Sequence, residues 1–142
     1  MAGGVPRALC VICVLTAGCS SSSGGLQTAP ATGVVTYKGA PVPGAVVVFQ
    51  PASDEGSTKP AQTQTGDGGA FSMQTLSNGT QLQDGVMPGE YLVSIRKIEA
   101  PADFTGPPRE VLPRKYGNAK SSGLKASVKN AGENKFEFKL SD

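Results

Sequence analysis

From Ala31 to the C-terminus, large apolar residues recur at every second position in short runs, and this period of two constrains the fold more than any other feature. A β-strand turns successive side chains to opposite faces, so such alternation marks a strand with one buried side. In the stretch Glu90 to Ile98, Tyr91, Val93 and Ile95 alternate with Leu92, Ser94 and Arg96. Leu124, Ala126 and Val128 alternate with Lys125, Ser127 and Lys129, and Phe136, Phe138 and Leu140 with Lys135, Glu137 and Lys139. The runs are punctuated by turn formers, with 19 Gly and 11 Pro among 142 residues, which suits a many-turned all-β domain better than a helical bundle or an α/β fold.

Earlier runs read the same way. Thr32 to Tyr37 predicts a first strand, Lys38 to Gly44 a turn, and Ala45 to Gln50 a second strand whose unbroken Val46-Val47-Val48-Phe49 suggests a central strand or one covered on both faces. Pro51 to Pro60 is a polar loop and Ala61 to Thr65 a polar, edge-like strand. After the Gly66-Asp67-Gly68-Gly69 turn, Ala70 to Gln74 places Phe71 and Met73 on one face. Asn130-Ala131-Gly132-Glu133 reads as a hairpin connection between the last two strands. The expectation is one domain over residues 31–142, a seven-stranded antiparallel β-sandwich.

The segment before it has a different character. Met1 to Arg7 carries one positive charge, Ala8 to Leu15 is uninterruptedly apolar, and Thr16-Ala17-Gly18 precede Cys19. Residues 1–18 therefore read as a signal peptide. As a helix, Ala8 to Ala17 would extend about 15 Å, half the ~30 Å hydrocarbon core, and would not span it. Leu15-Thr16-Ala17-Gly18-Cys19 resembles the bacterial lipobox, with Leu one position earlier than the common pattern and Thr16 in its place. The resemblance implies acylation of Cys19, palmitate-type anchoring to membrane lipid, and residence in the cell envelope facing the periplasm or exterior. Ser20 follows Cys19 where many lipoproteins retained in the inner membrane carry aspartate, which points to the outer membrane. Residues 19–30, with Ser20 to Gly25 at their start, read as the lipidated cysteine and a flexible tether. Cys10 and Cys13 form a CxxC inside the removed segment and read as apolar filler, leaving one cysteine and no disulfide in the mature chain.

The sequence contains no histidine. Ser-His-Asp and Cys-His catalytic arrangements are therefore excluded, as are most zinc sites and the iron site of two histidines and a carboxylate. Loss of Arg7 with the leader leaves 12 basic residues against 11 acidic, too balanced for a nucleic-acid partner. No enzyme activity and no cofactor is expected.

Three motifs carry a wider resemblance. Gly33-Val34-Val35-Thr36-Tyr37-Lys38-Gly39-Ala40-Pro41-Val42-Pro43-Gly44-Ala45, Thr65-Gly66-Asp67-Gly68-Gly69-Ala70-Phe71 and Met87-Pro88-Gly89-Glu90-Tyr91-Leu92-Val93 stand in order. They resemble carboxypeptidase regulatory-like domains, with Gly66 an extra residue before Asp67. The tail, through Leu112 to Asn118, Ser122 to Val128 and Asn134 to Leu140, is similar to small lipoproteins of planctomycete-type bacteria. The resemblance implies a transthyretin-like, immunoglobulin-like sandwich and a structural or binding role, with an unidentified envelope protein or ligand as partner. It brings no catalytic residues. Enzymes known on transthyretin-like folds rely on histidines, which this chain lacks. Gly44 and Gly89 read as turn glycines before strands, and Asp67 as a side chain bonding its own turn.

Few residues remain as site candidates. Asp54-Glu55 and Asp67 are oxygen ligands by type, but without calcium-loop spacing they read as solvated acids, so no metal is expected. Asn78-Gly79-Thr80 fits a glycosylation sequon and reads better as an Asn-Gly turn. The long segment Pro101 to Ser122 carries Arg109, Arg114, Lys115 and Lys120 with Phe104 and Tyr116. Arg114, Lys115 and Tyr116 are the candidate ligand-binding residues there, for an anion or a carbohydrate. The competing reading has Pro113 and Tyr116 pinning the segment to the sandwich edge while its charges stay in water.

Overall fold

The computed structural model describes residues 25–142 apart from Glu55 and Ser57. The leader, the Cys10–Cys13 pair and the proposed lipid attachment at Cys19 lie outside the described residues.

The described chain is β throughout, apart from one 3-10 turn at Arg114–Gly117. The strands are β1 (Ala31–Tyr37), β2 (Ala40–Pro41), β3 (Val46–Pro51), β4 (Ala61–Gln64), β5 (Ala70–Ser72), β6 (Gln74–Ser77), β7 (Gln81–Asp84), β8 (Gly89–Arg96), β9 (Ile98–Glu99), β10 (Arg109–Glu110), β11 (Leu124–Val128) and β12 (Asn134–Leu140). Two sheets form the sandwich. One has six strands in the order β11-β8-β3-β4-β6-β7, all antiparallel. The other has β1 at its centre, with β12 along one side and both β2 and β5 along the other. Strands β9 and β10 form a separate two-stranded hairpin.

The expected all-β sandwich is therefore the fold, divided more finely than seven strands. The predicted run Ala70 to Gln74 is two strands: β5 pairs with β1, the fully buried Met73 crosses between sheets, and β6 pairs with β4. Met73 makes this crossing with both backbone groups satisfied, its N–H donating to Ala31 O (2.8 Å) and its carbonyl accepting from Gly85 N (2.8 Å).

Two expectations need correction. Residues 130–133 do not close a hairpin: β11 pairs with β8 in one sheet, while β12 runs parallel to β1 in the other. Alternation reports which face of a strand is buried and is silent on which strand lies beside it. The buried Asn134 holds the crossing in place. Its Oδ1 accepts from Lys129 N (2.8 Å), and its Nδ2 donates to the carbonyls of Lys129 and Pro30 (both 3.1 Å). Leu26 and Ala29, expected to belong to a flexible tether, are instead held by the domain. Ala29 is 2% exposed and forms a two-bond bridge with Val86, and Leu26 is bonded to the Gln83 side chain.

β3 is central, as expected, but only Val47 and Phe49 are buried, while Val46 is exposed and Val48 half-buried. Phe49 forms the middle of the core. It meets Phe71, Phe136 and Phe138 of the opposite sheet edge-on at centroid distances of 6.5, 5.5 and 6.2 Å, and Tyr91 of its own sheet at 5.9 Å. Those three rings of the smaller sheet are mutually near-parallel, so one edge faces a stack. Gly33 makes room for them. A Cβ there would lie 2.5 Å from Phe71 Cζ and 2.4 Å from Phe136 O, so the close aromatic cover over β1 needs a residue without a side chain.

The turn glycine Gly44 has φ +70°, and the Gly66–Ala70 turn is closed by backbone bonds, Gly66 N to Ala70 O and Gly69 N to Gly66 O. Buried polar side chains are matched: Thr65 Oγ1 donates to Val42 O (2.6 Å) and accepts from Ala45 N (2.8 Å), which fixes the turn ahead of β3.

Candidate functional site

Three places on the described surface hold side chains that core packing does not account for. The first is the end of the sandwich around the Arg114–Gly117 turn, where sequence reading placed a ligand site. Segment 101–122 divides in two. Residues 102–109 are exposed, whereas Leu112, Tyr116, Ala119 and Ser122 are buried and hold the second half against the sandwich. Ser122 Oγ donates to Val93 O and accepts from Leu124 N (3.1 Å), leading directly into β11.

Tyr116 is 6% exposed and belongs to the core cluster, so its ring is not a platform for a sugar. Its hydroxyl donates to Ser141 O (2.9 Å) and accepts from Ser141 N (3.0 Å). The donation by the Ser141 backbone N–H favours the phenolate and lowers the Tyr116 pKa. Arg114 and Lys115 are exposed, and Lys115 Nζ lies 4.9 Å above the Tyr116 ring. The structure thus separates the three candidates into two solvated cations and one structural tyrosine.

Residues that sequence reading did not single out complete this end. Lys38 Nζ forms an ion pair with Asp142, and Tyr37 OH donates to the same carboxylate. The Lys38 ammonium, then the Tyr37 hydroxyl, hold Asp142 below the usual carboxylate range, and Asp142 in turn raises the pKa of both Lys38 and Tyr37. An anion arriving here meets a cation already paired with a carboxylate of this chain. The pair is exposed, and its strength is limited by water.

The second place is the tip beyond β9 and β10. Phe104 is 86% exposed at φ +53°, in a turn where Phe104 N donates to Pro101 O (3.0 Å). Asp103 accepts from the Thr105 hydroxyl and backbone, which lowers its pKa. Ile98 and Val111 are also exposed in this region.

The third is the β6–β7 hairpin, whose pattern is inverted. Thr75 and Ser77 point inward and are buried, with Thr75 Oγ1 donating to Gly85 O (2.8 Å) and Ser77 Oγ to Gln81 O (3.1 Å). Leu76 and Leu82, directly across from one another, point outward at 44% and 59% exposure. The connecting turn has positive φ at both Asn78 (+50°) and Gly79 (+78°), the geometry expected of an Asn-Gly turn rather than a marker of glycosylation. Gly25 and Leu26 share an open groove of about 760 Å³ with Ser77, Asn78 and Leu82. Sequence reading passed over these strands because their apolar residues lie on the wrong face. Two leucines flanking Asn-Gly in a run of Gln, Ser and Thr were the available signal.

Of the acidic candidates, Asp54 and Asp67 belong to no group of three metal-ligating side chains among the described residues, and Glu55 lies outside them.

No protein-family model matches the chain. No curated protein matches it. Among solved structures it is similar to a 9R-lipoxygenase from Cyanothece PCC8801, with 11% identity over 82% of this chain and a TM-score of 0.39. The chain spans 16% of the length of that protein, and a likeness this loose carries nothing over about activity.

Proposed function

We propose that the mature protein is a lipid-anchored domain of the bacterial cell envelope, with a structural or protein-interaction role and no catalytic one. The observation that carries this reading is the short interval between Cys19 and the folded domain. A cysteine preceded by a short apolar run and small residues is followed, seven positions later, by Leu26, already bonded to β7 through Gln83. Acyl chains contribute about 0.8 kcal/mol per buried CH₂, so two or more on Cys19 would hold the domain at a bilayer. The absence of histidine from the sequence supports a role without acid–base catalysis near neutral pH. The three motifs resembling carboxypeptidase regulatory-like domains support the same reading.

Intact mass of the protein purified from bacterial membranes after expression of the full chain tests this. The expected mass is that of the chain from Cys19 onward plus acyl groups. An unmodified Cys19, or cleavage at another position, would remove the anchor and leave a secreted soluble module.

A further inference from the structure

Strands that cover a core put apolar residues inward and polar ones outward. The β6–β7 hairpin does the reverse: Thr75 and Ser77 are buried, while Leu76 and Leu82, opposite one another, face outward. The run from Gln74 to Gln83 contains no charged residue, whereas the outward face of β12 carries Lys135, Glu137 and Lys139. An uncharged surface with an apolar pair is suited to meet another low-polarity phase.

The course of the chain says which one. Gly25 lines the same groove as Leu82, so the segment leading back to Cys19 leaves the domain at this hairpin. Gly25 stands six positions after Cys19, a span of at most about 22 Å at ~3.6 Å per residue. A domain of this size is roughly 35 Å across, from a radius of gyration near 13 Å. The acylated cysteine therefore keeps the hairpin near the bilayer. The register places the exposed Phe104 away from it. The Asn78–Gly79 turn lies beyond the end of the sheet where Pro51 pairs with Tyr91, while the loop bearing Phe104 follows Arg96, paired with Val46 at the opposite end.

We propose that the β6–β7 hairpin is a lipid-contact surface: Leu76 and Leu82 sit in the interfacial layer of the bilayer that holds acylated Cys19 and fix which end of the sandwich faces outward. This rests on the lipid-anchored reading above. Two leucines would not hold a soluble protein on a membrane, but a short tether makes their contact intramolecular and raises its effective concentration to the millimolar range.

The chain has no tryptophan, so single reporters can be placed in it. The full mature chain, residues 19–142, is coupled through Cys19 to a maleimide lipid in phosphatidylcholine vesicles containing brominated lipid, with Leu82→Trp, Leu76→Trp or Phe104→Trp. The expected result is a blue-shifted emission quenched at least twofold by brominated lipid for Leu82→Trp and Leu76→Trp, with Phe104→Trp unaffected. All three sites are exposed, and a thermal melt of each variant confirms folding. Quenching of Phe104→Trp instead, or of no reporter, overturns the proposal. So does a blue shift of Leu82→Trp in uncoupled protein that grows with concentration, which would assign the face to a second copy of the chain. Because the coupling is chemical, a negative result here removes the lipid contact alone. Missing acyl groups on the native protein would instead remove the anchor.

Discussion

The two sheets bury similar fractions of their residues by different means. The smaller sheet packs aromatic rings: Phe71, Phe136 and Phe138 stack over β1, and Gly33 clears the space beneath them. Along β12 its outer face is ionic, with Lys135 paired to Glu133 and Lys139 to Glu137. The larger sheet surrounds the rings of Phe49 and Tyr91 on its inner face with Val47, Val93, Ile95, Val128 and the buried hydroxyls of Thr75 and Ser77, and leaves much of its outer face to Gln62, Gln64, Gln74, Leu76 and Leu82. The β12 edge, with free backbone groups along one side, bears the charges that deter pairing with another chain. The β7 edge is bridged in part by the chain around Ala29 and carries none before Asp84.

Removing the residue that joins the two sheets should have the largest effect. Phe49→Ala deletes a fully buried ring in contact with four others and is expected to destabilise by about 3–5 kcal/mol, read from urea denaturation. A loss below ~1 kcal/mol would mean that the sheets are held together elsewhere.

Gly33→Ala tests the aromatic sheet alone. In an ordinary strand this change stabilises, but here the added methyl meets Phe71 and Phe136, and a loss of about 1–3 kcal/mol is expected. A gain in stability would show that the ring stack can shift freely.

Tyr91 probes the larger sheet. Burial pushes its pKa up to about 12, and its hydroxyl donates to Met87 O at 2.7 Å. The folded state therefore holds this proton where the unfolded chain, near pH 10, gives it up. The stabilisation is complete below pH 10 and is lost as pH rises towards 12. Tyr91→Phe is expected to cost about 0.5–1.5 kcal/mol at neutral pH and to flatten the fall in melting temperature between pH 10 and 12. An unchanged alkaline profile would assign the fall to other groups.

The ionic face should show the smallest effect. Glu137→Gln breaks an exposed pair at 3.4 Å and should change stability by less than about 0.5 kcal/mol. A larger loss in thermal melts at low salt would mean that the β12 charges act as a network.

Much of this was legible before the structure. The inward residues of β8, β11 and β12 are those that alternation named, because each strand buries one face against a core and large apolar side chains gain most from that. The pinning of residues 112–122 by Tyr116 was readable as one of two alternatives. The β6–β7 hairpin was not, because its inward residues are polar and satisfy themselves on backbone carbonyls, leaving no hydrophobic period to detect. The Lys38–Asp142 pair was equally hidden, since 104 positions of sequence separate groups that the parallel pairing of β1 and β12 brings together.

By itself, the sequence determined that the chain is an all-β domain preceded by a lipobox-like segment, that histidine chemistry is absent, and which side chains of the long strands face inward. These are local properties, carried by residue type and a period of two. Only the tertiary structure decided that β12 lies parallel to β1, that Met73 carries the chain from one sheet to the other, and that two leucines face outward beside Gly25. Strand neighbours and exposed faces depend on contacts between residues far apart in the chain, and no local pattern encodes them.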